Sequence, residues 1–80
     1  MDVRIVAFGI ARDIVGGNYV DMTIDDQLTV KDTIEILKLK FPSFKQLASI
    51  SLAVNEAYVD PDYKLCEGDE IVIIPPVSGG

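Results

Sequence analysis

Ile71-Val72-Ile73-Ile74-Pro75-Pro76-Val77-Ser78-Gly79-Gly80 are the last ten residues, and the first four of them decide how the rest is read. Four consecutive β-branched residues, with no polar residue in alternation, form the pattern of a strand buried on both faces. Pro75 and Pro76 have no backbone N–H, so ladder pairing has to stop there. The expectation is an interior strand followed by an extended tail.

Reading outward, the strand needs a neighbour of similar character. Val3, Ile5 and Ala7 alternate with Arg4, Val6 and Phe8 near the start of the chain. That is a second strand by its period of two, apolar on both faces after Arg4. Ile10, Ala11, Ile14 and Val15 then fall at helical spacing, closed by Gly16-Gly17, as in a short helical turn with a glycine C-cap. From Asn18 to Ile24, Tyr19, Asp21 and Thr23 oppose Val20, Met22 and Ile24, which predicts a third strand.

Thr29 and Asp32 resemble a capping box with Asp in the third position, and they open the main helix. Val30, Ile34, Leu37 and Phe41 form its apolar stripe, a core face rather than a cofactor box. Pro42 ends the helix. Residues 43–49 read as a connector anchored by Phe44 and Leu47. Ile50, Leu52 and Val54 alternate as a strand, Asn55-Glu56 turns, and Tyr58-Val59 is a short return strand. Asp60-Pro61-Asp62 and Glu67-Gly68-Asp69 are turns by composition, with Leu65 packing between them. A strand pair, one helix, and a last strand set centrally beside the first is the β-grasp, or ubiquitin-like, arrangement: an α+β fold with a mixed sheet on one main helix. The expected organisation is one domain over 1–74 and an extended C-terminal tail over 75–80.

Composition narrows the function classes. With 80 residues, 49% of them apolar, the chain can build one small core but hardly a buried catalytic cleft. It has no histidine and one cysteine, which excludes histidine acid–base chemistry, an internal disulfide and a cysteine-based zinc site. Cys66 reads as a half-buried thiol near the end of a loop; the alternative is a sulfur acceptor. The net charge is −6, and residues 46–80 hold six acids against the single base Lys64. Such a surface repels nucleic acid. It suits a partner with a basic groove, or simply keeps the domain in solution. With no long apolar run and no leader-like start, a soluble cytoplasmic protein away from membranes is expected.

The tail is the remaining chemical feature. Six extended residues reach about 20 Å, and the two prolines stiffen the exit toward polyproline II. Gly79 and Gly80 have no Cβ, so this backbone could pass through a channel too narrow for side chains. What the tail would present is the Gly80 carboxylate. A carboxylate is a poor electrophile and needs activation, most simply as an acyl-adenylate. A sulfur nucleophile could then displace AMP and leave a thiocarboxylate. The domain supplies no base or metal for this, so partners would do the chemistry.

Phe8-Gly9-Ile10-Ala11-Arg12-Asp13-Ile14-Val15-Gly16, Val54-Asn55, Glu67-Gly68-Asp69-Glu70 and Pro75-Pro76-Val77-Ser78-Gly79-Gly80 together resemble the MoaD family, the small sulfur-carrying subunits of molybdopterin synthase. The resemblance covers essentially the whole chain. It implies a carrier that is no enzyme on its own, has no directly bound cofactor and relies on catalytic residues of a large subunit. A ubiquitin-activating-type enzyme would adenylate Gly80 with ATP, and a sulfurtransferase would convert it to 1-thioglycine. The tail, Pro75, Pro76, Val77, Ser78 and Gly79, would thread into the large subunit, where cyclic pyranopterin monophosphate receives sulfur. Two small and two large subunits would form a heterotetramer. Phe8, Tyr58 and Ile74 match family positions that pack on the large subunit. Val6 and Val72 share their expected outward face; the alternative is that these residues merely cover a minor second core. Three alternatives remain: a thiamine-pathway sulfur carrier, typically shorter and without the 10–16 turn; a protein modifier conjugated through Gly80; and a plain interaction domain whose tail does nothing.

Overall fold

The computed structural model describes residues 1–47 and 49–76. Its elements run β1 (Asp2–Val6), α1 (Gly9–Val15), β2 (Tyr19–Thr23), α2 (Val30–Lys40), a 3₁₀ helix (Pro42–Gln46), β3 (Ser51–Val54), β4 (Ala57–Tyr58) and β5 (Ile71–Ile74). The five strands form one sheet in the order β2-β1-β5-β3-β4. β1 and β5 are parallel, and the other pairs are antiparallel. The last strand therefore lies central beside the first, as the β-grasp pattern requires.

Local signals account for the boundaries. Gly16 takes the left-handed conformation (φ 80°), and its N–H donates to the Arg12 carbonyl, ending α1. Thr29 caps α2 by accepting a hydrogen bond from the Asp32 N–H at 3.1 Å. Two further N-terminal donors of α2 are satisfied from outside the helix: Val30 N–H by the Tyr63 carbonyl and Lys31 N–H by the Pro61 carbonyl. The loop before β5 thus holds α2 in place and leaves few orphan groups at its start.

The inner face of the sheet supplies Val3, Ile5, Val20, Met22, Leu52, Val54, Ile71 and Ile73 to the core. Ala11, Val30, Leu37, Phe44 and Leu65 close over them. Phe44 also meets Phe41 edge-to-face, with ring centres 6.2 Å apart.

The structure corrects several expectations. β5 is buried on one face only: Ile71 and Ile73 are fully buried, whereas Val72 and Ile74 are half-exposed. The helical layer covers one side of the sheet, so the outer side of even a central strand meets solvent. The α2 stripe centres on Val30, Thr33 and Leu37, with Ile34, Ile36 and Phe41 only partly buried. Thr33 can lie inside because its hydroxyl donates to the Thr29 carbonyl at 2.9 Å, the backbone bond open to a helical threonine one turn on. The connector after α2 contains a 3₁₀ helix not expected from the sequence, while its expected anchors hold: Phe44 is buried and Leu47 packs against the core. The return strand is Ala57–Tyr58 rather than Tyr58-Val59.

Candidate functional site

The uncovered face of the sheet can be built strand by strand from its register. Val6 pairs with Tyr19 on one side and with Val72 on the other. Val72 pairs in turn with Ala53, and Ala53 with Tyr58. Paired residues project to the same side of a sheet. Tyr19, Val6, Val72, Ala53 and Tyr58 therefore make one row across all five strands, a span of roughly 19 Å at ordinary strand spacing. Ile74 lies on the same face, opposite Ser51. The two edge tyrosines are strongly exposed, Tyr19 at 49% and Tyr58 at 76%, while Val6, Val72 and Ala53 are half-buried. Phe8 stands just beyond β1 at the start of α1 and is 60% exposed.

Toward the other end of β1 the same face turns polar. Arg4 sits directly opposite Asp21. Its guanidinium donates twice to that carboxylate, from Nε at 2.8 Å and from Nη2 at 3.1 Å. It also lies 4.0 Å from the centre of the Tyr19 ring, within cation–π range. The hydrogen bond from Arg4 holds the Asp21 carboxyl below its usual range, and the same bond raises the guanidinium's own value. Thr23 Oγ1 donates to Asp2 at 2.7 Å, which extends this polar border. An apolar row with charge on one side has the anatomy of a protein interface, an apolar centre with a polar rim.

Of the residues singled out from sequence, Val6, Val72 and Tyr58 fall in the row, Ile74 beside it and Phe8 past the end of β1. Tyr19 and Ala53 complete the row and were missed. Tyr19 was legible: it shares the period-two phase of Asp21 and Thr23, opposite the buried Val20 and Met22. Ala53 carries no chemical signal of its own, and only the register identifies it. Pro75 and Pro76 are half-buried just after β5. Val77, Ser78, Gly79 and Gly80 lie outside the described residues.

Cys66 is exposed rather than half-buried. It follows the buried Leu65 and opens the 66–69 turn, whose Asp69 carboxylate accepts the Cys66 N–H at 2.8 Å. No group of three or more His, Cys, Asp or Glu side chains able to hold a metal occurs among the described residues. No helix among them is long and apolar enough to cross a membrane.

Comparison with known proteins bears on what this face and tail are for. A family model described as the ThiS family matches residues 5–80. The molybdopterin synthase sulfur carrier subunit of Dictyostelium discoideum is 37% identical over 82 residues, covering 96% of this chain and 94% of that protein. Among solved structures, a complex of subunits 1 and 2 of the molybdopterin-converting factor from Helicobacter pylori contains a chain 27% identical to this one. It has a TM-score of 0.66 and full coverage of both chains. Small archaeal modifier protein 1 from Haloferax volcanii has a TM-score of 0.81 at 20% identity, covering 95% of this chain and 98% of that one. At that identity the likeness shows a shared ubiquitin-like fold.

Proposed function

The chain belongs to the ThiS family, and from that premise we propose that it is the sulfur carrier subunit of a molybdopterin synthase. The observation that carries this reading is the full-length match to curated sulfur carrier subunits, together with a family match that extends through residue 80.

In this reading the carboxylate of Gly80 attacks the α-phosphorus of ATP on an activating enzyme. Pyrophosphate leaves and an acyl-adenylate forms. Sulfur at the oxidation level of hydrosulfide, handed over by a sulfurtransferase, then attacks the carbonyl carbon. The bond to the phosphate oxygen breaks, AMP departs, and the chain ends in a thiocarboxylate. The folded domain supplies recognition, and its partners supply the reacting groups.

The outer row Tyr19, Val6, Val72, Ala53 and Tyr58, with Phe8 and Ile74 beside it, is the surface that docks on the large synthase subunit. An apolar patch left open on a domain this small fits a partner surface. Pro75 and Pro76 direct the tail, Val77, Ser78 and Gly79 thread it, and Gly80 delivers sulfur to cyclic pyranopterin monophosphate. Residues 1–74 act as the docking domain and 75–80 as the delivery arm. Pairing two small with two large subunits places one arm in each active site.

Intact-mass measurement after incubation with an activating enzyme, ATP and a sulfur source tests the proposal. The expected product is heavier by the difference between one sulfur and one oxygen. An unchanged mass beside an activating enzyme that modifies a known carrier sinks it, and appearance of lysine conjugates through Gly80 favours the modifier reading instead.

A further inference from the structure

β5 poses a problem that its own sequence does not solve. Ile71-Val72-Ile73-Ile74 is apolar at every position, so alternation gives no preference between the observed register and one slipped by a residue. Such a slip would carry Val72 and Ile74 to the inner face and Ile71 and Ile73 to the outer. Something outside the strand must specify the register.

The hydrogen bonds at the start of β5 are placed where they could do so. Val54 pairs with Ile71, and the next pair in the same register is Asn55 with Glu70. The Asn55 N–H donates to the Glu70 carbonyl at 2.8 Å. The reciprocal bond is made by a side chain: the Glu70 N–H donates to Asn55 Oδ1 at 3.0 Å. Asn55 has a left-handed backbone (φ 52°), because the chain turns there into β4. Its side-chain carbonyl therefore stands in for the ladder acceptor, and the pairing extends one step past the strand. Asn55 Nδ2 donates to Asp69 Oδ1 at 3.0 Å, and Asp69 Oδ2 accepts the Cys66 N–H at 2.8 Å. One amide and one carboxylate thus tie the β3–β4 turn to the 66–69 turn.

We propose that Asn55 and Asp69 form a register lock for β5 and, through it, are positioning residues for the Gly80 carboxylate. The lock stands on the hydrogen bonds alone, whereas its role in positioning rests on the sulfur-carrier reading above. A slip of one residue advances a strand by about 3.3 Å. A misplacement of about 1 Å can already cost on the order of 100-fold in a reaction that depends on near-attack geometry. The same slip would exchange the residues offered to the large subunit.

The test uses the full chain carrying Asn55→Gly together with Asp69→Ala. Glycine keeps the left-handed turn accessible while removing the side chain. Cross-strand nuclear Overhauser contacts report the register directly. The lock predicts that the Ala53–Val72 contact is joined or replaced by contacts of Ala53 with Ile71 or Ile73. It also predicts a fall of about tenfold or more in sulfur transfer from the preformed thiocarboxylate to the large subunit's substrate. Lengthening the tail by one glycine, or shortening it by Val77, should recover part of that loss in one of the two variants. Simple destabilisation gives no such rescue. If the double variant does not fold, Asn55→Gly alone is read the same way. A folded variant that keeps only the Ala53–Val72 contact overturns the lock. A slipped register with undiminished transfer overturns the positioning role. A wild-type chain that never transfers sulfur overturns the carrier reading and leaves the register result standing.

Discussion

Ile73 and Ile74 are adjacent and chemically identical, yet Ile73 is fully buried while Ile74 is half-exposed. The same contrast runs through the whole sheet. Val54, Ile71, Ile5 and Val20 form the inner row under the helices, and Ala53, Val72, Val6 and Tyr19 lie one residue away on the open side. The two faces are nearly equal in hydrophobicity along β5 and the end of β1. What separates them is the layer of α1, α2 and the 3₁₀ helix on one side only. The inner face is packed into the core, and the outer face leaves the row Tyr19, Val6, Val72, Ala53 and Tyr58 open.

Paired substitutions sharpen this difference. Ile73→Ala should destabilise the domain by about 2–5 kcal/mol, because it opens a cavity in a packed core. In a domain of this size that is a large share of the total stability. Ile74→Ala should cost much less, and urea denaturation of the two variants side by side measures the gap. Equal losses would mean that the outer face is a second core. Tyr58→Ala should leave the urea midpoint nearly unchanged, since exposed substitutions usually fall within about 0.5 kcal/mol. In titration calorimetry against the large subunit, it should weaken binding by about 2 kcal/mol if Tyr58 anchors the interface.

The smallest expected effect lies at the polar border. The Asp21 carboxyl has a lowered pKa, chiefly through its hydrogen bond from Arg4. A carboxylate depressed on folding adds stability above its unfolded pKa, and that contribution is lost as pH falls through the lower folded value. Both groups are exposed, so the effect on stability is small and weakened further by salt. Arg4→Ala should move the Asp21 titration, followed by carboxyl NMR, upward toward the ordinary range. An unmoved titration would contradict the pairing.

The fold was readable where single residues act locally. Gly16 at a left-handed C-cap, Thr29 at an N-cap and the period-two strands all declare themselves within a few positions. Non-local effects were not readable in this way. Ile71–Ile74 looks like a strand covered on both sides, because residue chemistry cannot say that the second helical layer is missing. Thr33 does not belong to the apolar stripe by residue type, and its place in the core depends on the hydroxyl returning to the Thr29 carbonyl. Asn55 and Asp69 belong to the segments that carry the family resemblance, but their link spans fourteen residues and only the folded chain reveals it. At the site, Phe8, Tyr58, Val6, Val72 and Ile74 could be named in advance from the resemblance and the alternation. Ala53 could not, because alanine offers nothing to recognise.

The most direct test of the carrier proposal is a single turnover. A chain prepared with its C-terminal thiocarboxylate would be mixed with a large molybdopterin synthase subunit and cyclic pyranopterin monophosphate, with both protein mass and pterin product followed in time. A carrier returns to the carboxylate mass at the rate at which sulfur appears in the pterin. A thiocarboxylate that persists beside an active large subunit, or whose loss leaves no sulfur in the pterin, would contradict the proposed function.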